Sequence, residues 1–211
     1  MVGISSIGDT TVVTDKWMLG TRNSFFVGIV ATLLATALGT VAALGLSRPH
    51  MPFKAVLMAI LISPMIVPLI ITAAGMFFFY SKIGLTHTYL GLILAHTALG
   101  TPFVVITVTA TLTGFDTNLI RASQSLGADT MRTFFKVIMP LILPGVISGG
   151  LFAFITSFDE VVVVMFVGSV EQITIPKQMW AGLRQETSPV ILCMATCLVA
   201  LSIALLTTVE M

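Results

Sequence analysis

The chain has 211 residues, 56% of them hydrophobic and 9% charged, with a mean hydropathy of +1.07 and a formal net charge of +1. A water-soluble domain carries about 25% charged residues. This chain cannot cover a wet surface, which leaves a polytopic membrane protein, and its charge balance gives no sign of nucleic-acid binding.

The first 23 residues lack a basic stretch followed by an apolar one, so no cleavable signal peptide is expected. A helix needs about 20 apolar residues to cross the hydrocarbon core, and five runs qualify. The first, 24–46, lies between Arg22 and Arg48 and carries Ala31, Ala35, Gly39 and Ala43 at four-residue spacing. Such a small-residue stripe lets another helix come close where lipid supplies no hydrophobic drive. The second run, 55–80, contains Pro64 and Pro68; the third, 89–112, contains Pro102. Each proline removes a backbone donor and kinks a helix, and the freed carbonyls need a neighbouring helix or a wet cavity. They mark either static kinks or helices lining a translocation path. The fourth run, 141–167, is interrupted by Asp159 and Glu160 and repeats the small-residue pattern at Gly145 and Gly149. The fifth, 190–209, holds Cys193 and Cys197, which share a helix face and read as packing residues, not a disulfide.

The links are short, and neither a soluble domain nor an internal repeat is evident. Basic residues are balanced. Arg48, Lys54, Arg121, Arg132 and Lys136 lie on the side of the 113–140 link, and Lys16, Arg22, Lys82, Lys177 and Arg184 on the other. The positive-inside rule therefore assigns no orientation.

No P-loop, zinc-protease, CxxC or GxSxG motif occurs. The histidines His50, His87 and His96 are scattered, with His96 inside the third run, where a hydrogen bond to a neighbouring helix accounts for it. No catalytic, metal or cofactor site is expected. Asp159 and Glu160 are a different matter, because an acid inside a span is costly and marks a functional candidate. They either line the path of a cationic substrate or serve structure and gating.

The stretch 121–160 reads RASQSLGADTMRTFFKVIMPLILPGVISGGLFAFITSFDE. Residues 118–126 form a short helix with Leu119, Ala122 and Leu126 as an apolar stripe. Gly127 caps its C-terminus, where a left-handed backbone costs glycine nothing. Asp129 or Thr130 then caps a second helix carrying Met131, Phe134, Phe135 and Val137 beside Arg132 and Lys136. Two such helices make either a rigid knob for a groove on a soluble partner or an interfacial element with its phenylalanines in lipid.

This stretch resembles the EAA loop of binding-protein-dependent ABC importer permeases. Ala122, Gly127, Ala128, Phe134, Val137, Pro140 and Pro144 fall at the matching positions. SPMIVPLI, GLILAHTALGTPFVVITVTATL, SFDEVVVVMFVG and TIPKQMWAGLRQETSP extend the likeness to spermidine/putrescine-type permease subunits of the second kind, from about residue 23 onward. The resemblance implies an all-α membrane protein, a type I, MetI-like helical bundle with about five transmembrane helices in this chain. It implies an external segment at 1–23 and a permease domain at 24–209 with a cytoplasmic EAA-like loop at 113–140. The implied coupling residues are Arg121, Ala122, Ser123, Gly127, Ala128, Phe134 and Pro140; Asp159 and Glu160 are the candidates for the substrate path.

The implied partners are an ATPase pair, a second and different permease subunit, a periplasmic or lipid-tethered binding protein and membrane lipid. The implied location is the bacterial inner membrane, with several spans, and the implied cargo is a polyamine or similar organic cation. Ferric iron, thiamine, an opine or a phosphonate are alternative cargoes. A stand-alone secondary transporter or channel is the alternative of another class, and it leaves the elbow unexplained. Two departures stand out. Arg121-Ala122-Ser123 replaces the usual Glu-Ala-Ala, reversing a charge at the docking surface. Five runs replace the family's usual six spans, so the chain reads as lacking the first.

Overall fold

The computed structural model describes residues 6–48, 50–114, 116, 118–185 and 189–210. Residues 1–5 of the 1–23 segment, 115 and 117 of the 113–140 link, and 186–188 of the last link lie outside the described residues, as does the side chain of Arg184. The described secondary structure is helical throughout.

Helix α1 spans Ser6–Leu46 without a break, so the first span is the latter part of a longer helix and no helix end falls near residue 23. Helix α4 (Tyr89–Thr113) matches the third run. Between them lie α2 (Lys54–Ile66) and α3 (Leu69–Lys82). The second run is thus not one straight span but a pair bent by 105°. The cause is Pro68. Its ring disfavours a helical conformation for the preceding residue, and Val67 is extended, with φ −71° and ψ 135°. Pro64 sits inside α2 and Pro102 inside α4 without ending either helix.

The bundle core is α1, α4 and α7 (Met139–Phe158), packed side by side with α7 antiparallel to the other two. The small-residue stripe makes this possible. Ala31, Ala35 and Ala43 are fully buried, and a Cβ on Gly39 would lie only 2.7 Å from Val104 Cβ. On α7, Gly149 presses on Thr107 and Val104, and Gly145 on Thr111. The threonines of α4 turn their hydroxyls onto their own helix. Thr97, Thr101, Thr107 and Thr111 each donate to the carbonyl four residues back, at 2.7 to 3.0 Å. These four hydroxyls are thereby satisfied within the helix, whereas Thr109 Oγ1 is buried without a partner among the described residues.

The fourth run also departs from a single span. Helix α7 ends at Phe158, and Val162–Val167 forms a separate short helix, α8, that packs on α3 and α4 through Val163, Val164 and Val167. Two further helices follow, α9 (Ile175–Gln185) and α10 (Pro189–Glu210). Among the described residues, three helical stretches are long and apolar enough to span by themselves: Asp15–Leu46, Tyr89–Thr113 and Thr130–Phe158. The bent pair makes a fourth, and α10 contains the shorter apolar stretch Ile191–Ala204. Cys193 and Cys197 are free and exposed on α10.

Candidate functional site

One end of the bundle carries the elbow. Helix α5 (Asn118–Ser125) closes in a Schellman turn. Ala128 N donates to Ser123 O at 3.0 Å and Gly127 N to Gln124 O at 2.9 Å, with Gly127 at φ +83°. A side chain at that φ is strained. Asp129, not Thr130, caps α6 (Thr130–Thr133), its carboxylate accepting from Arg132 N at 2.7 Å. A π-turn at Phe134–Ile138 then runs directly into α7, so the elbow's second helix and the following span are one rod. A hydroxyl pair ties the two arms: Ser123 Oγ and Thr133 Oγ1 are 2.7 Å apart, with Thr133 buried.

The stripe of Leu119, Ala122 and Leu126 does not pack inward. Leu119 and Ala122 are exposed and Leu126 is 89% exposed, while Ile120, Ser123 and Gln124 face the bundle. Met131 and Phe135 are exposed as well. Of the candidate coupling residues, Arg121, Ala122, Gly127 and Pro140 are exposed; Ser123, Ala128 and Phe134 are half-buried. The elbow is held internally by its caps and the hydroxyl pair, and outside it presents Leu119, Leu126, Met131 and Phe135 among exposed Arg121, Arg132 and Lys136.

The opposite end is tied by polar bonds. Asn23 is 1% exposed and uses every arm of its amide. Its Nδ2 donates to Glu171 O at 2.7 Å and Ile173 O at 2.9 Å, while its Oδ1 lies 3.0 Å from the Tyr89 hydroxyl. Ser24 Oγ accepts from Ile175 N at 2.9 Å. The loop before α9 is thereby stitched to α1. In the sequence, Arg22 marks only the boundary of the first run, and Asn23 is not singled out as a clasp. The signal available was an amide and a hydroxyl side by side at the start of an apolar run, where buried polar atoms must find partners.

Asp159 and Glu160 part company here. Asp159 is exposed at the C-cap of α7. Glu160 is 6% exposed, and its Oε1 accepts from Val163 N at 2.9 Å, capping α8. Its geometry is that of the structural alternative. Lys177 takes the other end of α8, donating from Nζ to Val164 O and Ser169 O at 3.2 Å each; burial lowers its pKa below the ordinary 10.5. The six-residue helix thus has a carboxyl acceptor at its N-terminus and an amine donor at its C-terminus, the arrangement its unpaired backbone groups and dipole favour. His96 joins α4 to α7, with Nδ1 2.7 Å from Ser157 Oγ. No group of three or more potential metal ligands exists among the described residues.

An all-helical bundle with close-packed spans, a capped elbow at one end and a stitched loop at the other defines a membrane permease. The chain belongs to the family described as "binding-protein-dependent transport system inner membrane component", whose model matches residues 6–210. It is 31% identical to the spermidine/putrescine transport system permease protein PotC of Haemophilus influenzae over 191 residues, which covers 90% of this chain and 74% of that protein. It is 28% identical to PotC of Escherichia coli K12, covering 90% of this chain and 72% of that one. It is also 28% identical to the putrescine transport system permease protein PotI of the same strain, covering 86% and 67%. Its fold is that of a chain in the inward-facing MetNI methionine ABC transporter, with a TM-score of 0.78 at 20% identity over 94% of both chains. The chain is a transmembrane permease subunit of an ATP-driven importer, and ATP hydrolysis belongs to a separate subunit of such systems.

Proposed function

We propose that this chain forms half of the translocation pore of a polyamine importer and couples to its ATPase through the EAA-like loop at 113–140. The cargo assignment is supported by the permease relatives named for spermidine and putrescine, which match 86–90% of the chain. The coupling assignment is supported by the exposed face of Leu119, Ala122, Leu126, Met131 and Phe135 on a capped elbow. A face of that kind fits a groove on a soluble partner, and the continuous rod from Thr130 to Phe158 would carry its motion into the pore.

Arg121, Ala122, Ser123, Gly127, Ala128, Phe134 and Pro140 belong to the coupling element, which faces the cytoplasm. Arg121 lies on its exposed side, where the reversed charge is either matched by an acid on the ATPase or weakens docking. The pore's other half is a related but different permease subunit, and a periplasmic or lipid-tethered binding protein delivers cargo to the opposite end. The assembly sits in the inner membrane, and this chain crosses it several times. Asp159, exposed at the outer end of α7, is the acid placed to meet a cationic cargo; Glu160 holds α8.

Uptake of labelled putrescine and spermidine by cells lacking their own polyamine importers, supplied with this chain and its partner subunits, tests the proposal. Uptake that depends on this chain and drops with Asp159→Asn is the expected result. If the assembled complex hydrolyses ATP but moves no polyamine, the cargo is another one and the pore assignment stands. If no complex forms with an ATPase, the coupling assignment fails.

A further inference from the structure

At the elbow end, a cleft of about 370 Å³ separates the elbow from the spans. Ligand clefts range over about 300–1,000 Å³. Its walls divide by depth. Leu44 and Leu112, at the ends of α1 and α4, form the membrane side with Phe134 and Ile138 of the π-turn. Arg48, Gln124 and Thr130 form the rim. Leu44 therefore lies one turn before the Arg48 guanidinium on the same stretch of chain, with Leu112 on the same cleft, the level where hydrocarbon gives way to headgroups.

The charge at the rim is not balanced from within. Arg48 is exposed and has no carboxylate partner among the described residues. The two described acids of this end are turned to backbone: Asp116 accepts from Asn118 N at 2.9 Å and Asp129 from Arg132 N at 2.7 Å. Neither lines the cleft. Gln124 adds two amide N–H groups and Thr130 a hydroxyl, so a cation and neutral donors converge above an apolar slot.

We infer that this cleft is a site for an anionic phospholipid. One acyl chain lies between α1, α4 and the π-turn, and the phosphate is held by Arg48 with Gln124 and Thr130. Basic pockets between transmembrane helices bind anionic headgroups in this way. The lipid wedges the elbow against the ends of α1 and α4. It thus fills with hydrocarbon the space that would otherwise leave Leu44, Leu112, Ile120 and Ile138 facing a void. The inference is independent of the cargo.

The test uses the assembled transporter, with its ATPase and second permease, purified in neutral detergent. Dioleoylphosphatidylglycerol or dioleoylphosphatidylcholine is titrated in, and bound lipid is counted by native mass spectrometry. Saturable binding of one phosphatidylglycerol per copy of this chain is expected, with phosphatidylcholine weaker. Arg48→Gln should lower the affinity about fivefold. Leu112→Trp, which fills the slot without changing charge, should lower it as well. Lys54→Gln, a basic residue at the same end outside the cleft, should leave it unchanged. Equal losses from Arg48→Gln and Lys54→Gln would mean diffuse attraction to the surface and overturn the site. So would non-saturable binding, or equal binding of the two lipids.

Discussion

The two ends of this bundle solve opposite problems. At the end opposite the elbow, Asn23, Ser24, Tyr89, Glu160 and Lys177 spend their polar atoms on backbone groups of the same chain, leaving the loop at 169–175 stitched to α1 and α8 capped at both ends. At the elbow end, the polar bonds are local to the elbow, and Leu119, Leu126, Met131 and Phe135 are left exposed. One end is finished within the subunit. The other is shaped internally and leaves four large apolar side chains exposed among its charges, which is what a surface awaiting a partner needs.

That contrast predicts which substitutions act on folding and which on assembly. The largest effect is expected at Gly127. A Gly127→Val side chain in the left-handed region costs about 1–2 kcal/mol locally and redirects the second arm. ATPase co-purification and transport should both be lost while the spans still fold, as judged by monodisperse elution of the permease. Retention of the ATPase at wild-type level would remove the elbow from the coupling role.

Asn23→Ala comes next, and it acts on folding instead. It leaves two carbonyls and the Tyr89 hydroxyl without their amide partner. A buried polar group left unpaired costs about 1–3 kcal/mol. The thermal unfolding midpoint of the purified complex should fall by several degrees, and ATPase binding below that midpoint should be unaffected. An unchanged midpoint would mean that the outer clasp contributes no stability.

Phe135→Ser should give the reverse pattern, weaker retention of the ATPase with the midpoint held, because the ring is 61% exposed. A lowered midpoint with full retention would place Phe135 in packing or lipid instead of the docking face. The smallest effect is expected for Ser123→Ala. It breaks a single hydroxyl pair with Thr133, worth about 1 kcal/mol, and should reduce coupling efficiency, read as ATP consumed per substrate moved, without dissociating the complex. Equal efficiency in the variant would make the bridge dispensable.

Much of this architecture could be read from residue order. The apolar runs, the stripe from Ala31 to Ala43, the glycine cap at Gly127 and an aspartate cap at Asp129 each depend on near neighbours, and periodicity or backbone preference carries that information directly. The third run was read within one residue because α4 has clean ends, with Thr88 accepting from Gly91 N at its start. Residue order also marks both breaks, a proline kink at Pro68 and an interruption at Asp159-Glu160, but not their size: the first bends its run by 105° and the second ends α7 at Phe158. Hydropathy sums along the chain and does not register a change of direction.

Composition and local order by themselves determined the class, the spans, the small-residue packing face and the caps of the elbow. Tertiary structure decided which face of α5 is left bare, that Glu160 is a cap while Asp159 is open, that Asn23 reaches residues 148 and 150 positions away, and that a charged rim stands over an apolar cleft. The physical reason is the same in each case: local preferences act over one or two helical turns, whereas burial and hydrogen-bond partnership are properties of where distant segments meet.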